Sequence, residues 1–349
     1  MYLPIQHSKA SEFPPESGFS ESDWHILAGF WHPVAVSAEV QDAPVAARLL
    51  GVNLVVYRTR EGLCVSRDAC PHRGARLTLG WLDDNRDALV CPMHGHHYRH
   101  DGRCVAIPSM GTEGVRIPER MQLHTYLSAE RYGFVWVCLK PEPRRALPEW
   151  PLLEPVAAPW KRIEIPRGHW NASASRHCEN FNDVGHLSWV HMQTFGNRAR
   201  PRVEPYQVER THYGLRMELP YVEIERGFND DHQGERTTQY VYELTYPFAS
   251  HLRVDYDATM TSHYFDIASP VSAHECDIYQ INLTNVPGAG PDYAQYQMLT
   301  NEEDAPLVES QTPWQVPLDP AYEVSVPADR FSNQYRRDLV TLFGLGAAA

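Results

Sequence analysis

Two short cysteine–histidine pairs contain residue types that bind metals. They are Cys70-Pro71-His72 and, after 18 intervening residues, Cys91-Pro92-Met93-His94. A [2Fe–2S] cluster can take two thiolates on one iron and two imidazoles on the other, which raises its reduction potential. Zinc also accepts two cysteines and two histidines, usually with both cysteines first in the chain. The alternating order therefore favours Cys70, His72, Cys91 and His94 as cluster ligands, with a structural zinc site as the alternative.

A second group of candidate ligands lies in residues 179–191. Asn180, Asp183 and His186 recur every three residues and would lie near one face of a helix. His191 comes five residues after His186, so both imidazoles can meet one metal only at a π-bulge or a break in the helix. Two histidines and a distant carboxylate form the facial triad of non-haem Fe(II) oxygenases. The alternative is that one of these histidines is an ordinary core residue.

Rigid elements must position both groups, and the length of 349 residues predicts more than one domain. Short strands dominate the first part, with apolar runs at 49–57 and 133–139. Six prolines between residues 140 and 159 indicate a linker. We predict an arm at 1–22, a cluster domain at 23–140, a linker at 141–159 and a second domain at 160–349. Strands are expected at 240–246, 263–267 and 278–283, and an amphipathic final helix from residue 331 onwards.

Composition limits the partners. The formal net charge of −13 argues against a nucleic-acid surface, which needs clustered Lys and Arg. The N-terminal residues have neither a basic leader nor an apolar core, and no apolar run is long enough to span a bilayer, so we expect no signal peptide and no membrane. We predict a cytoplasmic protein in which the remaining five cysteines are buried thiols: Cys64, Cys104, Cys138, Cys178 and Cys276.

These residues together resemble the α-subunits of Rieske non-haem iron oxygenases, from about Trp31 to the final helix. The family's cluster motif corresponds to Cys70, His72, Cys91 and His94, and its Asn-x-x-Asp-x-x-His-x-x-x-x-His segment corresponds to Asn180, Asp183, His186 and His191. The resemblance implies Asp304 as the third iron ligand, with Glu302 and Glu303 as adjacent competitors. It also implies an α+β fold, in which an all-β [2Fe–2S] domain precedes a helix-grip catalytic domain with an antiparallel sheet.

The same resemblance implies how electrons reach the iron. Each cluster would serve the mononuclear iron of the next subunit in a head-to-tail homotrimer, with Asp183 as the bridge between His94 of one chain and His186 of the other. NAD(P)H would act only through a separate reductase, with or without a ferredoxin, because the chain has no dinucleotide or flavin motif. The second cluster loop departs from the family, since Met93 and His96 replace the usual aromatic and tryptophan.

Strings near the C-terminus, including 308–311 and 323–330, look like those of the methylxanthine N-demethylases and, less closely, dicamba O-demethylase and the saxitoxin-pathway hydroxylases. We therefore predict an oxygenase that uses O₂ to hydroxylate a C–H bond of a small aromatic or heterocyclic molecule, for example as an N- or O-demethylase. The alternative within the family is a ring or aliphatic hydroxylase or a dioxygenase. Gln311 would contact the substrate if its segment is helical. An electron carrier without mononuclear iron and a zinc-stabilised interaction module are the alternatives from other classes.

Overall fold

The first half of the chain is built of strands, and the second half combines a large sheet with helices. The structure, a computed structural model, describes residues 12–111, 116–154, 156–225, 234–290 and 292–346. All strand pairings between its named strands are antiparallel. The predicted α+β fold, with a sheet-rich part first, is confirmed.

The N-terminal half contains one short helix and three small sheets. Its elements are α1 (Glu21–Leu27), β1 (His32–Val36), β2 (Val45–Leu49), β3 (Val52–Thr59), β4 (Gly62–Arg67), β5 (Trp81–Leu82), β6 (Leu89–Val90), β7 (His97–Tyr98), β8 (Cys104–Ala106), β9 (Leu127–Arg131) and β10 (Phe134–Cys138). The sheets have the orders β1-β10-β9, β2-β3-β4 and β5-β6-β7-β8. The first cysteine–histidine pair follows β4, and the second lies between β6 and β7.

The C-terminal half is built around one eight-stranded sheet. Its elements are β11 (Lys161–Glu164), β12 (Gly168–Trp170), α2 (Ala174–Phe181), α3 (Leu187–Val190), β13 (Val208–Arg210), β14 (Gly214–Glu225), β15 (Gly234–Thr245), β16 (Ala249–Asp255), β17 (Thr261–Pro270), β18 (Cys276–Thr284), α4 (Asp292–Glu309) and α5 (Arg330–Phe343). The strand order is β11-β18-β17-β16-β15-β14-β13, and β12 also pairs with β18. The three predicted strands lie in β15, β17 and β18, and the final helix is α5, so these predictions are confirmed.

An aromatic cluster joins the two halves. Phe134 of β10 packs edge to face on Tyr279 of β18, with ring centroids 5.3 Å apart, and Trp150 packs on Phe265 of β17 at the same separation. Such aromatic pairs contribute about 0.5–1.5 kcal/mol beyond the area they bury. This shared core fixes the cluster loops relative to the large sheet.

The predicted arm and the predicted linker both pack against the rest of the chain where the structure describes them. In the predicted arm, Ser17 is fully buried and its carbonyl accepts a hydrogen bond from the Ala273 amide. In the predicted linker, Trp150 and Leu153 are buried in the aromatic cluster. The described part of the predicted arm, residues 12–22, therefore packs against the second half of the chain. The domain boundaries themselves stay predictions.

Two further sequence expectations concern cysteines and membranes. All seven cysteines are free and buried, including the five assigned as buried thiols. In the described ranges, no helix has both the length and the apolar character that crossing a bilayer requires.

Candidate active site

Two loops with the same hydrogen-bond pattern hold the cysteine–histidine pairs. The Gly74 amide donates to the Cys70 carbonyl at 2.8 Å, and the Gly95 amide donates to the Cys91 carbonyl at 2.9 Å. Both glycines have positive φ angles, +72° and +67°, which residues other than glycine rarely adopt. A glycine four residues after each cysteine therefore lets each loop turn back on itself.

The loops place the thiols inside and the imidazoles outside. Cys70 and Cys91 are buried in one cluster, whereas His72 and His94 are exposed and their Nδ1 atoms lie 3.2 Å apart. Neighbouring buried thiols with paired exposed imidazoles fit a [2Fe–2S] group whose two irons differ in ligand type. The structure thus brings all four predicted cluster residues together.

The two departures from the family pattern lie beside this group. Met93 is 59% exposed, whereas His96 is buried. The His96 ring centroid is 4.7 Å from that of His72 and 5.7 Å from that of His94. Burial and the neighbouring histidines lower the pKa of His96, so a neutral imidazole packs against both exposed imidazoles.

Sequence reasoning missed one residue at the cluster group. The buried Tyr98 hydroxyl lies 3.1 Å from Sγ of Cys70. A cluster-bound Cys70 would be a thiolate without a proton, so the hydroxyl would be the donor. Hydrogen bonds to cluster sulfurs are one of the ways in which a protein sets the reduction potential.

Replacing Tyr98 by phenylalanine is expected to lower the reduction potential of the cluster by on the order of 40 mV, because a hydrogen bond of about 1 kcal/mol to the more negative, reduced sulfur is lost. A redox titration followed by absorbance measures the shift. Tyr57→Phe is the matched control, because Tyr57 is also buried but its hydroxyl donates to the Arg99 carbonyl at 2.7 Å. Equal shifts in the two variants would contradict a specific role for Tyr98.

The second candidate site is built at a break between two helices. Helix α2 ends at Phe181, and α3 begins only at Leu187. Asn180, Asp183 and His186 are therefore not on one continuous helical face, which corrects the expectation drawn from their three-residue spacing. A break in the helix is one of the two arrangements that allow His186 and His191, five residues apart, to meet one metal.

At this break two histidines meet an acid from α4. The Nε2 atoms of His186 and His191 lie 3.2 Å apart, and Oδ1 of Asp304 lies 3.4 Å and 3.6 Å from them. Ligand atoms about 2.1 Å from one ion and at right angles to each other are about 3.0 Å apart, so this triangle fits a single metal ion. Oδ1 of Asp304 is also buried without a hydrogen-bond partner among the described residues, as a metal-ligating oxygen would be in the absence of its ion.

The charges around these atoms favour a cation. Burial alone would lower the pKa of His186, but the neighbouring Asp183 and Asp304 carboxylates raise it to about 10. Burial alone would raise the pKa of Asp304, but contacts with His186 and Asn180 hold it below its usual range. The two carboxylates around the His186 imidazole therefore stabilise a positive charge at this site. A divalent metal ion can supply that charge in place of the imidazole proton.

Asp183 is part of the break and contacts His186. Its Oδ1 accepts the Gly185 amide at 2.8 Å, and its Oδ2 lies 3.3 Å from both the amide and Nδ1 of His186. The Asp183 side chain is 32% exposed. The carboxylate thus fixes the imidazole from behind while part of it stays accessible from outside the chain.

Glu303 does not compete with Asp304 for the same place. Its Oε2 accepts the Thr194 hydroxyl at 2.7 Å and lies 3.3 Å from Nδ1 of His191, and its Oε1 accepts the Gln193 amide at 2.6 Å. Glu302 is exposed. Glu303 therefore orients His191 as a carboxylate behind a metal-binding imidazole does, a role that its position next to Asp304 could have suggested.

The Glu303→Gln variant is expected to weaken Fe(II) binding at this site by about 10- to 100-fold, because the carboxylate that fixes the His191 tautomer is lost. Titration of metal-depleted protein with Fe(II) measures the affinity. Glu302→Gln is the control, since it makes the same change at the neighbouring exposed position. An unchanged affinity in Glu303→Gln would show that Glu303 has a purely structural role.

Of the remaining two predicted site residues, one lies at the site and the other does not. Asn180 lines the cavity beside Asp304. Gln311 is exposed and does not line this cavity, because α4 ends at Glu309 in two tight turns instead of continuing. The structure does not bring Gln311 to the site, which corrects the expectation that it contacts the substrate.

The triad lies in the wall of a cavity of about 380 Å³ between the large sheet and α2, α3 and α4. Most of its lining is aromatic or aliphatic, including Phe181, Leu187, Phe195, Leu252, Val254 and Tyr242. Its volume suits a small molecule of one or two rings.

Comparisons with known proteins give the same arrangement of domains. Residues 30–126 match the Rieske [2Fe–2S] domain, and residues 170–343 match the vanillate O-demethylase oxygenase C-terminal domain. The methylxanthine N1-demethylase NdmA of Pseudomonas putida is 31% identical over 334 residues, which cover 92% of this chain and 91% of the relative. The methylxanthine N3-demethylase NdmB of the same organism is 27% identical over 90% of this chain and 89% of the relative.

Solved structures are similar over nearly the whole chain. The structure of Pseudomonas putida NdmA with caffeine has a TM-score of 0.78 at 27% identity and covers 91% of each chain. Dicamba monooxygenase bound to dicamba has a TM-score of 0.75 at 20% identity, covers 93% of this chain and 99% of the other, and shows the fold alone.

The chain belongs to the Rieske non-haem iron oxygenase family. Within it, the chain falls in the branch that contains the methylxanthine N-demethylases, and it is the oxygenase component of such a system, an oxidoreductase with a Rieske [2Fe–2S] domain.

Proposed function

We propose that this oxygenase removes a methyl group from nitrogen or oxygen of a small aromatic or heterocyclic substrate, by hydroxylating the methyl carbon. The observation that supports this proposal most is the meeting of His186, His191 and Asp304 at the wall of one cavity. In the overall reaction, O₂, two electrons and two protons convert the methyl group to a hydroxymethyl group and one water. The hydroxymethyl compound then loses formaldehyde.

His186, His191 and Asp304 would hold an Fe(II) ion, and Cys70, His72, Cys91 and His94 would hold the [2Fe–2S] cluster. When bound, these groups supply O₂ activation and one-electron transfer. The protein residues do the positioning. Asp183 and Glu303 orient the two imidazoles through their Nδ1 atoms, Asn180 contacts Asp304, and the aromatic walls exclude water from the substrate.

We further propose that the cluster of one chain serves the site of a neighbour in a homotrimer, with Asp183 between them. The exposed His94 imidazole and the partly exposed Asp183 carboxylate support this role, because both reach the surface of the chain. Electrons would come from NAD(P)H through a separate reductase, with or without a ferredoxin. The trimer, the reductase and a cytoplasmic location stay predictions.

The test is the content of iron and acid-labile sulfide in anaerobically purified protein. About three irons and two sulfides per chain are expected, since a cluster and one mononuclear site need that number. With a reductase, O₂ uptake and formaldehyde release should then depend on an N- or O-methylated ring compound. About two irons to two sulfides after incubation with Fe(II) would contradict the proposal and favour an electron carrier.

A further inference from the structure

One strand of the large sheet breaks its own pattern inside the cavity. Alternate residues of β14 face the core, and Leu215, Met217, Leu219 and Tyr221 are all buried apolar or aromatic side chains. The next residue in this series is Glu223, which is only 7% exposed and lines the cavity. A carboxyl group at a position where the pattern calls for an apolar side chain points to a function.

Glu223 is poorly compensated inside the protein. The Tyr240 hydroxyl donates to its Oε2 at 3.2 Å, and Glu223 forms no ion pair within 4 Å among the described residues. Burial raises the pKa of Glu223 to about 7. The Tyr240 hydroxyl and the charge of Arg236 only partly offset this effect of burial. A buried carboxylate without a close ion pair is costly to the fold, so a cationic ligand in contact with Glu223 would be bound favourably.

Tyrosine rings form the wall on which Glu223 lies. Tyr240, Tyr242, Tyr256, Tyr264, Tyr293 and Tyr296 all line the cavity, from β15, the end of β16, β17 and α4. The hydroxyls of Tyr256 and Tyr264 lie 3.0 Å apart and so contact each other. Aromatic faces around a carboxylate are the surroundings that bind substituted ammonium groups, through the negative face of each ring.

Arg236 lies opposite Glu223 in the described part of the sheet. It is the cross-strand partner of Glu223 in the β14–β15 pairing, yet its guanidinium carbon lies 5.4 Å from the Tyr256 ring centroid and outside ion-pair distance of Glu223. The guanidinium stacks on an aromatic ring of the wall, and the carboxyl group of Glu223 stays available to a ligand.

We propose that the cavity recognises a substrate with a cationic amine, whose positive charge lies against Glu223 and the tyrosine faces. This substrate class rests on the proposed function, since the charged end would orient the rest of the molecule towards the triad in the same cavity.

The experiment uses two probes of the same shape, trimethylphenylammonium and tert-butylbenzene, which differ in one positive charge. Their affinities for the anaerobic holoenzyme are measured by calorimetry in the parent protein and in Glu223→Gln. The glutamine keeps the volume of the side chain and can accept the Tyr240 hydrogen bond. Glu218→Gln is the matched control, because Glu218 lies on the same strand but is exposed.

The Glu223→Gln substitution is expected to weaken binding of the ammonium probe by about tenfold, because one charge–charge attraction in a partly buried site is lost. Binding of tert-butylbenzene should not change, and Glu218→Gln should bind both probes as the parent does.

In the parent, affinity for the ammonium probe should rise between pH 6 and pH 8 by up to about tenfold, as Glu223 ionises. The described groups that interact electrostatically with Glu223 are Arg236 and five tyrosines: Tyr221, Tyr240, Tyr256, Tyr264 and Tyr296. Burial raises the pKa of each tyrosine, so the tyrosines do not titrate in this range. The rise should be absent in Glu223→Gln.

Three results would overturn the proposal: no detectable binding of the ammonium probe, equal loss of both probes in Glu223→Gln, or benzoate binding more tightly than the ammonium probe. The last would assign the cavity to anions near Arg236. These failures are distinct from failure of the proposed function, which would appear as a missing third iron whatever the probes do.

Discussion

Product formation is expected to fall by at least about 100-fold when His191 is replaced by alanine, and iron is expected to fall from about three to about two per chain while sulfide stays at about two. The reason is geometric, because His191 supplies one of only three donor atoms in the triangle with His186 and Asp304. The His191 side chain is also only 2% exposed, its ring stacks on Phe195, and its Nδ1 contacts the Glu303 carboxylate. Metal analysis and product assays on the purified variant measure both effects.

His212→Ala is the control for this variant. His212 is exposed and packs on Tyr213, away from the cavity, so iron, sulfide and product should match the parent. The cluster absorbance should be retained in both variants, because the cluster residues lie in the other half of the chain. A His191→Ala protein that keeps its third iron and more than a tenth of its activity would rule out the assigned site.

The second large effect is expected from Asp183→Asn, which should keep both metal centres but slow cluster oxidation during single turnover by on the order of 100-fold. The carboxylate lies against the Gly185 amide, the His186 amide and Nδ1 of His186 at once. An amide side chain has one acceptor oxygen and presents N–H groups to the remaining donors, so the His186 imidazole loses its support. Rapid mixing of reduced protein with O₂ and substrate, followed by absorbance, measures the rate.

Asp257→Asn is a matched control for the local structure. The exposed Asp257 carboxylate also accepts amides two and three residues later, from Thr259 and Met260, at 2.7 Å and 2.8 Å. If the two variants slow cluster oxidation equally, Asp183 only supports its turn. If Asp183→Asn oxidises its cluster at the parent rate, the proposed bridge between subunits is wrong.

The sequence predicted those features of the site that depend on residues close together in the chain. The ligand types of the cluster loops are local, since cysteine, histidine and a glycine four residues after each cysteine lie within short strings. The spacing of His186 and His191 likewise required an irregular helix, and a break is present. The expectation of a common face for Asn180, Asp183 and His186 was wrong, because α2 ends at Phe181, before the three-residue pattern does.

The choice among three adjacent acids was not local. Residues 302–304 offer the same chemistry in sequence, and only the orientation of α4 against the 182–194 segment directs Asp304 to the triad, Glu303 to Nδ1 of His191 and Glu302 to solvent. The prediction that Gln311 contacts the substrate was wrong for a related reason, because α4 ends at Glu309 and leaves Gln311 exposed. Helical spacing predicts a shared face only while the helix continues.

The sequence by itself determined the family and the order of its two candidate metal sites along the chain, because ligand types and short spacings are properties of local strings. Only the tertiary structure decided which distant groups support them. Tyr98 reaches Cys70, Glu303 reaches His191, and Glu223 lies in the cavity wall against the Tyr240 hydroxyl. Each of these contacts depends on the packing of one element against another, and packing is set by the whole core rather than by any short segment.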